Sequence, residues 1–183
     1  MIMPVGARSF PEGLEACVRV YHTLRAALKS RGLSTAVGDE GGFAPDLPDT
    51  ESVLSLLTEA MEACGQRPGV DMAIAMDAAS SELYDPEQDA YYFPGESRMS
   101  GKQVLRLREE MVDYYEALTS RFPIVSIEDG LEQEDWCGWK LLTSRLGDKL
   151  QLVGDDLFVT NTERLKRGVE QRIANAILVK VNQ

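Results

Sequence analysis

Apolar residues recur along the chain in two rhythms, one helical and one strand-like. Between Ser9 and Gly32, Leu14, Val18, Tyr21, Leu24 and Leu28 return every three or four positions. Ser9-x-x-Glu12 opens that stretch as a capping-box pattern, so the spacing predicts a helix that buries this stripe and stops at Gly32. Glu51–Cys64 predicts a second helix, with Val53, Leu54, Leu57 and Met61 on one face and Gly65 just beyond. Val70–Ala78 (VDMAIAMDA) reads as a buried strand, and Glu82–Pro94 as a hairpin with its turn near Asp85–Asp89. Ser100-x-x-Gln103 is expected to open a helix that runs to about Ser120. Strand Ile124–Glu128, helix Asp135–Leu146, strand Leu150–Asp155, a helix opened by Thr160-x-x-Glu163, and strand Ala176–Val181 follow. Strands alternating with helices imply βα units and a parallel sheet, which makes the expected fold class α/β. Such sheets are covered by helices, so a last strand with no helix after it reads as an interruption.

Composition narrows the function classes. The 183 residues include 19 basic and 30 acidic ones, a formal net charge of −11, with 44% hydrophobic and 27% charged residues, as in a globular domain. No apolar run approaches the roughly 20 residues needed to cross a bilayer, and the opening MIMPVGARSF lacks a basic segment before an apolar one. Membrane and secreted readings therefore lose, as does nucleic-acid binding, which needs clustered Lys and Arg against the phosphates. His22 is the single histidine, which nearly removes histidine-based zinc sites and Ser-His-Asp triads. Cys17, Cys64 and Cys137 form no CxxC and are odd in number, which fits a reducing cytosol. Cys17 and Cys64 fall in helical patterns and are expected to be small buried hydrophobes.

Charge placement is more informative than charge count. The predicted strands run into Asp77, into Glu128 and Asp129, into Asp155 and Asp156, and into Lys180. In α/β sheets these strand ends converge on the face that carries the chemistry. Period-2 alternation puts Asp77 with Ala75 and Ala73, Glu128 with Ser126, Asp155 with Val153 and Gln151, and Lys180 with Leu178 and Ala176. Asp129 and Asp156 point the other way by this parity and are expected to be supporting or capping groups. Converging carboxylates raise one another's pKa, and a hard divalent cation compensates them. Oxygen-only ligands favour Mg²⁺ or Mn²⁺ over Zn²⁺. Lys180 beside such a cation is a candidate general base. The glycine-rich loop Val37–Phe43 is either a plain turn or a mobile element that holds Glu40 as an acid over the same face.

The stretches MIMPVGARSF, VGDEGGFAP, IAMDAASSE, PIVSIEDGLEQEDWCGWKLLT, LVGDDLFVTNTERL and LVKVNQ together resemble enolase (phosphopyruvate hydratase) of the bacterial type, in family order across essentially the whole chain. The resemblance implies reversible dehydration of 2-phosphoglycerate to phosphoenolpyruvate in glycolysis, in a cytoplasmic and usually homodimeric protein. It implies Mg²⁺ ligation by Asp77, Glu128 and Asp155, proton abstraction by Lys180, and protonation of the departing hydroxyl by Glu40. Glu128, Asp155 and Lys180 would also face the substrate. The implied fold is part of a TIM-like (β/α)₈ barrel, truncated at both ends. The family's N-terminal capping domain, its histidine loop, and the later strands with a histidine, an Arg-Ser pair and a second lysine have no counterpart among these residues. The alternative expectation is therefore a catalytically incompetent fragment, acting as a weak Mg²⁺-binding or interaction module and without measurable dehydration activity. A racemase-type relative is disfavoured by the GDEGGFAP and LVKVNQ matches.

Overall fold

The computed structural model describes residues 1–183. Its central sheet has five strands in the order β1 (Ile2–Met3), β2 (Ala73–Asp77), β6 (Ile124–Glu128), β7 (Gln151–Gly154) and β8 (Ala176–Ile177). β1 runs antiparallel to β2, and the four others are mutually parallel. The sheet does not close, so β1 and β8 are its edges. A small antiparallel sheet, β3 (Tyr84–Asp85), β4 (Ala90–Tyr92) and β5 (Leu105–Arg106), leaves the main body after β2.

Six helices complete the chain: α1 (Phe10–Ser30), α2 (Thr50–Ala63), α3 (Pro94–Ser100), α4 (Arg108–Arg121), α5 (Trp136–Leu146) and α6 (Thr162–Gln171). Their starts follow local chemistry. The side chains of Ser9, Asp49, Asp135 and Asn161 accept the first free backbone N–H groups of α1, α2, α5 and α6. The core lies between sheet and helices, around fully buried Ile74, Met111, Tyr115, Ile127, Trp139, Leu142 and Leu152.

Several expectations need correction. Of the expected stripe Leu28 is buried and Leu24 packs at the core margin, but Leu14, Val18 and Tyr21 face outward, and α1 buries Gly13, Ala16 and Val20 in their place. Small residues allow that close approach: a Cβ on Gly13 would lie 3.1 Å from Pro4 Cγ. In α2, likewise, Val53 is exposed, and Leu56 and Ala60 are buried with Leu54 and Met61. Ser100 ends a helix rather than opening one, because Pro94 fixes the start of α3 and Gly101 stops it at φ +66°. The hairpin gains β5 as a third strand, and α4 starts later, with the Glu110 carboxylate accepting the Leu107 N–H at 2.7 Å. α6 opens at Asn161, since Thr160 is left-handed at φ +51°. β8 spans only Ala176–Ile177. Cys17 and Cys64 are half-buried at the core margin, and Cys137 is exposed.

Candidate metal-binding and catalytic face

The parallel register sets the charged groups side by side. Asp77 pairs with Glu128, Glu128 with Val153, and Val153 with Ala176. Two residues beyond Val153 comes Asp155, and four beyond Ala176 comes Lys180. Ser126 Oγ donates to Gln151 Oε1 at 3.0 Å, so the parity that runs to Glu128 and Asp155 holds below them as well. The strand-end loops then leave regular geometry, with Ala79 at φ +41°, Asp129 at +43°, Val159 at +42° and Thr160 at +51°. Non-glycine residues pay for that conformation, and it persists only where the surroundings hold it.

Asp77, Glu128 and Asp129 each place an oxygen within 4.8 Å of the others, and Asp129, Asp155 and Asp156 do the same. The structure therefore joins Asp77 to Glu128, and puts Asp155 in a second group that shares Asp129. Asp77, Glu128 and Asp155 do not form one such triplet among themselves. Burial comes first in raising the Glu128 carboxyl to about 7, with the charges of Asp77, Asp129 and Asp155 adding to it. Burial likewise raises Asp77, and the charge of Glu40 adds to that rise. Glu40 thus lies within electrostatic reach of the cluster, although its side chain is exposed.

Lys180 Nζ donates to Asp155 Oδ2, a bond that holds the lysine above its ordinary pKa. Gln183 Nε2 donates to Asp155 Oδ1 at 3.0 Å. No other lysine or arginine forms an ion pair with Asp77, Glu128, Asp129, Asp155 or Asp156. Thr160 Oγ1 accepts the Lys180 backbone N–H at 2.9 Å and donates to Gln183 Oε1 at 2.8 Å. Thr160 and Gln183 were not singled out from sequence, where Thr160 read as part of a helix opening. The glycine-rich loop is a closed turn: Val37 bridges Phe43, Gly38 N–H donates to Gly42 O at 2.9 Å, and the Phe43 ring stacks on Tyr21 at 4.5 Å. Glu40 therefore rides on a turn anchored to α1.

Asp129 takes the supporting, capping role expected of it, but by a left-handed turn rather than by strand alternation. Its positive φ ends the alternation at Glu128, and its buried carboxylate turns toward the loop after β7. Asp156 joins the same group, because β7 ends at Gly154 and alternation no longer governs it. The resulting donor set is all oxygen, crowded and partly desolvated. Repulsion among its carboxylates is the electrostatic condition that a hard divalent cation relieves, so these residues fit one.

Strand-end acids and a lysine gathered on one face of a parallel, helix-covered sheet define an α/β protein of the barrel class. Over residues 1–183 the sequence matches the family described as Enolase, C-terminal TIM barrel domain. The chain belongs to the enolase family, and its unclosed sheet is part of that family's barrel. No helix is long and apolar enough to cross a membrane.

Proposed function

We propose that this face is the metal and proton-transfer site of a Mg²⁺-dependent lyase that interconverts 2-phosphoglycerate and phosphoenolpyruvate in the cytoplasm. The observation that carries the reading is the register-aligned set Asp77, Glu128, Asp155 and Lys180 at the ends of four successive parallel strands. Asp77, Glu128 and Asp155 would hold Mg²⁺. When bound, the cation supplies the positive charge that lets a substrate carboxylate take up the electrons of the broken C–H bond.

The chain's own groups account for the protons. Lys180, as the neutral amine, takes the proton from the carbon beside the carboxylate, and the electron pair of that bond forms the new double bond. Glu40 gives its proton to the hydroxyl on the next carbon, which leaves as water. After each turnover the Lys180 ammonium returns its proton to solvent and the Glu40 carboxylate takes one up; in the reverse direction the two exchange roles as acid and base. In the structure Asp155 holds Lys180 as ammonium, so engagement of that carboxylate elsewhere is the condition for Lys180 to act as a base. Three free cysteines agree with a reducing compartment. A homodimer belongs to the same reading, supported by the exposed apolar side of α1.

A second reading, a Mg²⁺-binding module without turnover, is favoured by one observation. Lys180 is the single basic group paired with the acids, so a substrate phosphate would meet few cations here. Two measurements separate the readings. Calorimetry should register Mg²⁺ binding by the wild type and its loss in Asp77→Ala/Glu128→Ala; equal binding by both would remove the site. Ultraviolet absorbance of the phosphoenolpyruvate formed, with excess Mg²⁺, decides turnover. The lyase reading expects turnover that Lys180→Ala abolishes; Mg²⁺ binding without measurable turnover would put the module reading in its place.

A further inference from the structure

We propose that Asp129 is the positioning residue of this site, a brace that holds the three acid-bearing strand ends in register rather than a ligand to the metal. This inference rests on the metal reading above and concerns how the ligands are placed.

Asp129 bonds to each neighbouring strand end. Its carbonyl oxygen accepts the Ser80 N–H at 3.0 Å, which ties down the segment just after Asp77. Its own N–H donates to Val153 O at 3.0 Å, in the strand that leads to Asp155. Its two carboxylate oxygens are divided between the next two amides: Oδ1 accepts the Asp155 N–H at 3.1 Å, and Oδ2 accepts the Asp156 N–H at 2.9 Å. Immediately before it stands Glu128, whose carbonyl oxygen accepts the Ala78 N–H at 2.9 Å. One residue therefore connects the ends of β2, β6 and β7.

Two further features separate a brace from an incidental acid. Asp129 is only 4% exposed, less than Asp155 at 7%, so its carboxylate is committed to the loop amides rather than offered to solvent. Its φ of +43° turns the side chain out of strand alternation and toward those amides. Aspartate tolerates this conformation better than most residues, but the cost is accepted only where the bonds formed outweigh it. An ionised carboxylate that accepts two backbone N–H bonds is a strong acceptor in a low-dielectric setting, and groups that orient metal ligands commonly control affinity without touching the ion.

The test uses the whole chain, with Mn²⁺ as the probe metal. Asp129→Asn keeps the volume but sets an amide NH₂ against one of the two N–H donors. Asp129→Gly removes the carboxylate and accepts the positive φ without strain. Titration followed by electron paramagnetic resonance should show Mn²⁺ binding weakened by about 10- to 100-fold in both variants, with an altered line shape for the ion still bound. Hydrogen exchange at the Asp155 and Asp156 amides should accelerate in both variants, while the Leu152 amide, bonded to Asn175 Oδ1 at 2.7 Å, keeps its rate. Wild-type affinity, line shape and exchange in Asp129→Asn would overturn the proposal. So would complete loss of Mn²⁺ with unchanged exchange, which would make Asp129 a ligand. If the wild type itself takes up no Mn²⁺, the metal reading fails, and the exchange rates alone then decide whether Asp129 braces the loop.

Discussion

Glu128 and Asp71 give the chain two opposite pH responses. The Glu128 carboxyl stands at about 7 in the fold against 4.5 ordinarily, raised by burial and then by Asp77, Asp129 and Asp155. Between those values the folded chain holds a proton that the unfolded chain has released, so stability falls as pH rises through that window. Asp71 has the reverse sign. Hydrogen bonds from the Arg67 guanidinium and backbone N–H hold it at about 2 against 3.8, so its contribution is present above the higher value and disappears as pH falls toward the lower. A melting series without metal should therefore peak on the acid side of neutrality. Glu128→Gln should flatten the alkaline arm, and Asp71→Asn the acid one. Mg²⁺ should raise the melting temperature more on the alkaline side of the Glu128 transition than on its acid side, because the ion competes with the proton for the carboxylate. An alkaline arm unchanged in Glu128→Gln would count against the crowding of these acids.

Among the elements, the loop and helix after β7 show most directly how packing places the site. The Phe158 ring, 2% exposed, lies between two glycines: a Cβ on Gly154 would meet its Cδ2 at 2.5 Å, and a Cβ on Gly168 its Cε1 at 2.5 Å. Gly168→Ala would gain roughly 1 kcal/mol of helix propensity, but overpacking against a fixed ring costs about 1–3 kcal/mol. The expected outcome is a lower urea midpoint for Gly168→Ala, with Phe158→Leu in the same chain restoring part of it. A Gly168→Ala variant as stable as the wild type would mean that the ring can move. None of this was legible in the sequence, because glycine next to an aromatic ring leaves no local signal. The strands were legible, since runs such as IVSIE and AIAMD have a single good burial pattern, and the acids at their ends followed from parity. The supporting role of Asp129 was legible too, but not its geometry, because its left-handed φ goes with tertiary bonds to Ser80, Val153 and the following loop. The buried side of α1 departs from expectation for a related reason: bulky residues mark an apolar stripe, but only packing decides that Gly13, against Pro4 and Ala7, and Ala16 are buried.

At the scale of the whole molecule, two kinds of surface invite a second copy. β1 and β8 are the outer strands of the sheet that these residues form. On α1, Phe10, Leu14, Val18 and Tyr21 form an exposed stripe at helical spacing, with exposures of 80%, 53%, 44% and 36%. The edge strands are short, two residues each, and offer few backbone bonds. The stripe is longer and apolar, so burial there outweighs pairing at an edge. A net charge of −11 opposes association at long range, and salt screens that repulsion. The chain should therefore associate in a concentration-dependent way that strengthens as salt is added. Leu14→Glu/Val18→Glu places two carboxylates in the middle of the stripe and should shift sedimentation velocity profiles to a single monomeric species. Both positions are exposed, so the melting temperature should change little. A double variant that still associates as the wild type does would assign the contact to the open edges, and a lysine introduced at Ile177 of β8 would then be the substitution that dissolves it.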